Sequence, residues 1–137
     1  MRFKSAYAIA SLFLFFATAL TPTLAADDAY IGTWKGSWEG AGSSGSFDLS
    51  FATGADGKLS GKVAVGTDQG NYNAPFTKLA LQGGTLESSY DYPLDAQGEV
   101  TLAGKFDAKA GSGTWSLGAK GNPAQSMVAG TWKVTKQ

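Results

Sequence analysis

Hydrophobic and polar residues alternate along most of the chain after residue 31. In the stretch 32–39, Trp34, Gly36 and Trp38 fall on one face, whereas polar side chains such as Thr33 fall on the other. An alternation with period two is typical of a β-strand that buries one of its two faces. Similar runs recur along the chain and are separated by glycine-rich turn sequences, so the pattern predicts an all-β protein.

Eight such runs are predicted to be strands. They cover residues 32–39, 46–51, 58–65, 77–82, 85–92, 99–106, 113–117 and a last strand that contains Val128, Trp132 and Val134. Asp56-Gly57 and Gly83-Gly84 are strong hairpin signals between consecutive strands. The stretch 40–45 is predicted to be a flexible loop, and 66–75 and 118–126 are predicted to be the two longest loops.

The order of the runs favours an up-and-down meander that closes on itself. The first strand carries Gly32-Thr33-Trp34-Lys35, and the last strand carries the same tetrapeptide at Gly130–Lys133. Closing the sheet removes the unpaired edges that an open meander leaves exposed. A two-layer sandwich is the main alternative, but no connection is long enough for an obvious Greek-key crossover. The fold class is therefore predicted to be an eight-stranded antiparallel barrel.

The two ends of this barrel are predicted to differ. The inward-facing residues near the end with the tight turns are bulky and would plug it: Trp34, Phe51, Leu59, Phe106 and Trp115. The inward-facing residues near the long-loop end include the candidate ligand-binding residues Trp38, Phe47, Tyr90 and Tyr92. Because an eight-stranded barrel has room for one small ligand, the long-loop end is predicted to be open.

The first residues have the composition of an export signal. Arg2 and Lys4 precede an apolar run from Ala6 to Leu20, and Thr23-Leu24-Ala25 supplies the small residues of a cleavage site. We therefore predict a signal peptide at 1–25, an N-terminal arm at 26–31 and a single barrel domain at 32–137. The mature protein is expected in the periplasm or the medium. No cysteine is present to carry a lipid, so no membrane anchor is expected after cleavage.

The composition argues against most kinds of catalysis. The chain has no histidine and no cysteine, which excludes a Ser-His-Asp triad, a Cys-His pair and an ordinary zinc site. A carboxylate-pair hydrolase built from Glu39, Asp91, Asp95 and Glu99 is formally possible, but no acidic residue is predicted to face inward. We therefore expect a non-enzymatic protein with no catalytic residues, no metal and no cofactor. Nucleic acid is not an expected partner, because the mature chain is slightly acidic and contains no arginine. The single arginine of the sequence, Arg2, lies in the leader.

Gly32-Thr33-Trp34 on the first strand resembles the Gly-x-Trp signature of lipocalins and related calycin barrels. The resemblance implies a structural set made of Gly32, Trp34, Trp115 and Trp132, with the signature Trp covered by a basic residue of the last strand. Lys133 or Lys136 matches that role. The chain is shorter than lipocalins and lacks their other motifs and their C-terminal helix. The hairpin 54–61 also resembles one in avidins, without avidin's biotin-contacting residues, and the whole chain is similar to small β-meander domains exported by bacteria.

Two functions of different classes are consistent with these observations. The first is a binding module that holds a small, largely apolar ligand at the long-loop end. A neutral or cationic ligand is expected there, because acidic residues outnumber basic ones at that end. The second is a structural or protein-interaction module, such as a periplasmic inhibitor or an accessory domain, with a filled core. An internal cavity that opens among the long loops distinguishes the first from the second.

Overall fold

Nine antiparallel strands form a single curled sheet in the computed structural model. The model describes residues 29–137, apart from the side chains of 123–125, and Ile31–Gln137 form one compact unit. In chain order the strands are β1 (Gly32–Gly40), β2 (Ser43–Thr53), β3 (Leu59–Thr67), β4 (Gly70–Pro75), β5 (Lys78–Gln82), β6 (Thr85–Asp91), β7 (Gly98–Phe106), β8 (Ala110–Ala119) and β9 (Asn122–Lys136). The predicted signal peptide, 1–25, and residues 26–28 of the predicted arm, 26–31, lie outside the described residues.

The order of the strands in the sheet is β4-β3-β2-β1-β9-β8-β7-β6-β5. Every strand pairs antiparallel with its neighbours, and β1 pairs with β9 as the shared tetrapeptide indicates. The prediction of an all-β, antiparallel up-and-down meander is therefore confirmed. The sheet curls into an open half-barrel whose two edges are β4 and β5.

The predictions of eight strands and of a closed barrel are wrong, and both differences arise near Pro75. The strand β4 lies inside the stretch 66–75, which was predicted to be a loop. Proline has no N–H and cannot continue the ladder, so β4 ends at Pro75. The chain then changes partners, because Phe76 N–H donates to Gly61 of β3 at 3.0 Å and Thr77 N–H donates to Ser89 of β6 at 2.9 Å. The predicted strand 77–82 is therefore retained as β5, β4 is an additional strand, and these two strands form the edges of the sheet.

The predicted flexible loop at 40–45 and the predicted long loop at 118–126 are also wrong. Ala41 and Gly42 form a tight turn with φ angles of 57° and 75°, as in a two-residue hairpin. The last strand begins at Asn122, directly after a turn at Lys120-Gly121, and irregular pairing near Leu117 takes up the extra residues. The predicted hairpin at Gly83-Gly84 is confirmed, and both glycines have positive φ.

The predicted inward faces agree with the observed burial. A cluster of aromatic rings fills the end of the sheet that carries the turns at 54–58 and 107–109. Trp34 is completely buried and packs edge-to-face on Phe106 at a centroid distance of 4.9 Å. Phe106 also contacts Phe51 at 5.9 Å and Trp132 at 5.7 Å. This cluster is the core of the domain, and it closes that end.

Glycines on the inner face allow the sheet to bend this sharply. A Cβ atom built on any of four of them would overlap a backbone carbonyl oxygen of a neighbouring strand; these are Gly36, Gly45, Gly113 and Gly130. Glycine is typical of tight bends where another strand approaches the backbone closely. The alternation of glycine with large rings is thus a requirement of the curvature, since no other residue fits at these four positions without a shift of the neighbouring strand.

No helix that could cross a bilayer occurs among residues 29–137.

Candidate functional site

A pocket of about 290 Å³ opens at the opposite end of the half-barrel from the aromatic core. This is the end that the sequence predicted to be the long-loop end. We call it the turn end, because the β1–β2 turn at Ala41-Gly42 and the β3–β4 turn at Asp68-Gln69 form the rim of the pocket. The inner face of the sheet supplies the walls. The residues that line the pocket are Trp38, Gly40, Ala41, Ser43, Phe47, Val65, Thr67, Asp68, Gln69, Tyr72, Tyr90, Tyr92, Val100, Leu102, Trp115, Leu117 and Val128.

All four of the predicted ligand-binding residues line this pocket. Trp38 comes from β1, Phe47 from β2 and Tyr90 from β6, and Tyr92 follows β6 directly. Period-two alternation places the first three on the inner face, and the curl of the sheet brings their strands around one space. The four residues therefore lie around one pocket, and the two stretches predicted to be long loops at this end are strands and tight turns.

Trp38 and Trp115 form one wall. Their rings meet edge-to-face with centroids 5.6 Å apart. Each indole N–H donates to a backbone carbonyl, that of Trp38 to Gly66 at 2.9 Å and that of Trp115 to Glu39 at 3.1 Å. Because the polar atom of each ring is already bonded, the surface that the two indoles present to the pocket is apolar.

The position of Trp115 differs from the prediction, which placed it at the plugged end with Trp34. The strand β8 begins at Ala110 rather than at 113, so Trp115 lies near its middle. It pairs with Gly130 of β9, and Gly130 in turn pairs with Gly40 at the end of β1. The indole therefore reaches the turn end and lies over the two glycines.

Two other members of the predicted structural set, Trp34 and Trp132, lie at the opposite end from the pocket. Trp34 and Trp132 are buried in the aromatic core, and the Trp132 N–H donates to the Thr114 carbonyl at 2.9 Å. Lys136 Nζ lies 5.6 Å from the centroid of the Trp34 ring, within the range of a cation–π contact. The Cε atom of Lys136 also lies close to Gly32, 3.4 Å from the position of a Cβ there.

Three tyrosines form the wall opposite the indoles. The hydroxyls of Tyr72 and Tyr90 are 2.8 Å apart, which is a short hydrogen bond, and the Tyr72 ring packs edge-to-face on Tyr92 at 5.7 Å. Burial raises the pKa of Tyr72 to about 12 and raises that of Tyr90 further. Both groups are therefore neutral phenols at any physiological pH. Tyr72 was missed by the sequence reasoning, because its neighbours Asn71 and Asn73 resemble a loop.

The floor of the pocket is apolar. Phe47, Val65, Val100 and Leu102 are all buried, and they separate the pocket from the aromatic core. Phe47 contacts both regions, because it lines the pocket and its ring lies 5.7 Å from that of Trp132 in the aromatic core. An apolar floor with polar groups confined to the walls and rim is typical of sites that bind small molecules.

The rim carries the polar groups. Ser43 Oγ donates to Asp68 Oδ2 at 3.1 Å, and Thr67 Oγ1 donates to the Gly70 carbonyl at 2.7 Å. Asp68 is the single charged side chain among the described residues that line the pocket. Ala41, also on the rim, has a positive φ of 57°, a conformation that costs a residue with a Cβ about 1 kcal/mol.

The four acids considered for a carboxylate pair do not line the pocket. Glu39, Asp91 and Asp95 are exposed, and Glu99 is partly exposed on the outer face. Asp91 forms an ion pair with Lys120 at 3.3 Å, and Asp95 accepts a hydrogen bond from the Gln97 backbone N–H. Within residues 29–137, no group of three or more acidic, histidine or cysteine side chains is arranged to hold a metal ion.

Comparisons of this chain with protein-family models, with curated protein sequences and with solved structures give no match. What the structure shows is the fold, an all-β antiparallel meander curled into an open half-barrel.

Proposed function

We propose that this protein is a non-catalytic binding protein that holds one small, largely apolar molecule in the pocket at the turn end. The observation that carries the proposal is the wall formed by Trp38 and Trp115. Two large rings with bonded N–H groups face a space that the protein's own side chains leave unfilled. Aromatic and apolar walls with a few polar groups are the common environment for small ligands.

The volume supports a ligand of about two fused rings. A cavity of about 150 Å³ is known to hold benzene, and the present pocket measures about 290 Å³. A molecule of that size, mostly removed from water, is expected to bind with micromolar affinity, or about −8 kcal/mol.

The charge at the rim favours a neutral or cationic ligand. Asp68 is exposed at the mouth, and no basic side chain occurs among the described residues that line the pocket. A carboxylate near the entrance repels an anion, and the rings of the wall attract a cation through their π faces. An anionic ligand such as a fatty acid is therefore the least favoured class.

The alternative is a structural or protein-interaction module. That function calls for a filled core, and the pocket gives no support to it. Exposed large hydrophobic side chains among the described residues are isolated: Leu94 is at one turn and Met127 is in β9. We therefore rank the interaction module second.

Two probes that share a scaffold test the proposal. N-phenyl-1-naphthylamine is neutral, and its emission rises in apolar sites, whereas 1-anilinonaphthalene-8-sulfonate adds one negative charge to nearly the same frame. We expect the neutral probe to bind with micromolar affinity and the anionic probe to bind at least about fivefold more weakly. Asp68→Asn removes the negative charge at the rim, so it should reduce the difference in affinity between the neutral and the anionic probe.

A matched pair of variants locates the binding. Trp38→Ala removes one wall and should weaken the neutral probe at least about tenfold, whereas Ser37→Ala, on the outer face of the same strand, should leave its affinity unchanged. If both probes fail to bind at millimolar concentration, or if the two variants behave alike, the proposed function is wrong.

We also propose that the protein works after export, in the periplasm or the medium, because residues 1–25 have the composition of a signal peptide. Mass spectrometry of protein recovered from those fractions should give a chain that begins at Ala26 or Asp27. Recovery of chains that retain Met1 in the membrane fraction would contradict export.

A further inference from the structure

The hydrogen bond between the two phenols determines the polar chemistry of the pocket. The hydroxyl oxygens of Tyr72 and Tyr90 lie 2.8 Å apart. A phenol has one proton to donate and lone pairs to accept with, so two phenols that share one hydrogen bond use one of their two protons. The other proton needs a separate acceptor.

The burial of the two residues decides which proton is left. Tyr90 is 2 % exposed, and within the described part of the chain its hydroxyl has Tyr72 as its hydrogen-bond partner. A buried O–H with no acceptor is costly, so the favoured arrangement has Tyr90 donating to Tyr72. Tyr72 is less buried and lies on the pocket surface, where its own proton has no acceptor among residues 29–137.

The pKa values agree with this arrangement. Burial raises the pKa of Tyr72 to about 12 and raises that of Tyr90 further, so neither phenol ionises under physiological conditions. Tyr72 therefore remains a donor. Its surroundings on the pocket wall are the ring of Tyr92 and the apolar floor, neither of which offers a strong acceptor.

We propose that the pocket selects uncharged apolar molecules that carry a hydrogen-bond acceptor oxygen, such as a ketone or an ether, and that the Tyr72 hydroxyl donates to that oxygen. The inference rests on the proposed function and adds the ligand's chemical class to it. Apolar contacts with the indoles and the floor hold the ring frame, and Tyr72 fixes its orientation. A hydrocarbon of the same shape fills the same space and leaves the Tyr72 proton without an acceptor.

Two isosteric probes test the inference. 1-Tetralone presents a carbonyl oxygen where 1-methylenetetralin presents a CH₂ group, and the two frames are otherwise alike. Their affinities are measured by displacement of N-phenyl-1-naphthylamine from the wild type and from two variants. The quantity of interest is the ratio of the ketone affinity to the hydrocarbon affinity, because hydrophobic contributions common to both probes cancel in it.

Tyr72→Phe should lower this ratio by about fivefold, the size expected for one hydrogen bond between neutral groups, while the hydrocarbon still binds. Tyr90→Phe is the comparison variant. It removes the other phenol of the pair and keeps the Tyr72 donor, so the ratio should fall less in Tyr90→Phe than in Tyr72→Phe.

The outcomes separate this inference from the proposed function. If the hydrocarbon and the ketone bind but the ratio is the same in the wild type and in Tyr72→Phe, the inference is wrong and the proposed function stands. A fall of the ratio in Tyr90→Phe instead of Tyr72→Phe also overturns the inference, since Tyr90 would then be the donor. If neither probe displaces the dye because the dye does not bind, both proposals fail.

Discussion

Gly130 affects both the curvature of the sheet and the wall of the pocket, because the backbone of β1 and the ring of Trp115 both come close to its Cα. A Cβ atom at this position would overlap the carbonyl oxygen of Glu39 and lie 2.7 Å from Nε1 of Trp115. That nitrogen donates its proton to the same Glu39 carbonyl at 3.1 Å. Gly130→Ala therefore forces either β1 or the Trp115 ring to move.

The expected loss of stability follows from three contributions. Overpacking of a well-ordered site costs about 1–3 kcal/mol, and the loss of the indole hydrogen bond adds about 1 kcal/mol. Alanine offsets about 0.4–1 kcal/mol, because it restricts the unfolded chain more than glycine does. We expect Gly130→Ala to lower the free energy of unfolding by roughly 1–3 kcal/mol in urea denaturation followed by circular dichroism.

Gly54→Ala is the matched control. Gly54 lies in a turn, and a Cβ there would lie 3.2 Å from its nearest neighbours, Asp56 Oδ1 and the Lys58 carbonyl. The effect on the unfolded chain is the same in both variants, so the difference between them reports the cost in the folded state at Gly130, namely the overlap with the Glu39 carbonyl and the lost indole hydrogen bond. Equal stabilities for the two variants would refute the role of Gly130. In a Trp115→Phe background, the cost of Gly130→Ala should fall, because part of the obstruction is the indole nitrogen.

Three further predictions concern the core, the phenols and the rim. Trp34→Ala should lower the free energy of unfolding by about 3–5 kcal/mol because Trp34 is completely buried, whereas Thr33→Ala on the outer face should change it by at most about 0.5 kcal/mol. Similar losses for the two variants in urea denaturation would contradict the assigned faces. The pKa of Tyr72 is raised to about 12 in the folded state, so the unfolded chain loses this proton first, and stability should fall as the pH rises from about 10 towards 12. Denaturation across that range should show a shallower fall for Tyr72→Phe than for wild type, and parallel curves would contradict the burial of the phenol. Ala41→Gly should relieve about 1 kcal/mol of backbone strain, and the freer unfolded chain offsets about 0.4–1 kcal/mol of that gain, so the melting temperature should stay level or rise slightly. A clear fall in the melting temperature would count against the strain.

The alternation of residue types predicts the inner face of the sheet well. Trp34, Phe47, Phe51 and Phe106 were all placed inward, and all are buried. The reason is physical, because a strand that buries one face must alternate apolar and polar residues. The pairing of β1 with β9 was also predicted, from the tetrapeptide that the two strands share.

The edges of the sheet could not be predicted in the same way. The strand β4 consists of Gly70-Asn71-Tyr72-Asn73-Ala74-Pro75, in which glycine, asparagine and proline outweigh the alternation of Tyr72 and Ala74. An edge strand forms hydrogen bonds on one side, and this tolerates residues that a central strand excludes. The alternation of Tyr72 and Ala74 with the two asparagines was the signal that could have shown the strand.

The residues of the pocket were also predicted only in part, because the alternation is clear in some strands and weak in others. Trp38, Phe47, Tyr90 and Tyr92 were found because they follow the alternation of well-defined strands. Tyr72 was missed because it belongs to the stretch assigned to a loop. The position of Trp115 depended on where β8 begins, and strand boundaries are weakly encoded where Gly111, Ser112 and Gly113 continue a strand that resembles a turn.

The central claim is that a small apolar molecule enters the pocket between Trp38 and the tyrosines. Two of the four tryptophans, Trp38 and Trp115, line that pocket, and the other two, Trp34 and Trp132, lie in the core. Each indole N–H gives its own signal in a ¹⁵N-resolved NMR spectrum, so a titration with 1-tetralone reads all four at once. We expect the signals of Trp38 and Trp115 to shift together with one dissociation constant below 1 mM, as for a ligand held by about 4 kcal/mol or more, while those of Trp34 and Trp132 stay in place. Four unchanged signals at saturating probe, or equal shifts at all four, would contradict binding in this pocket.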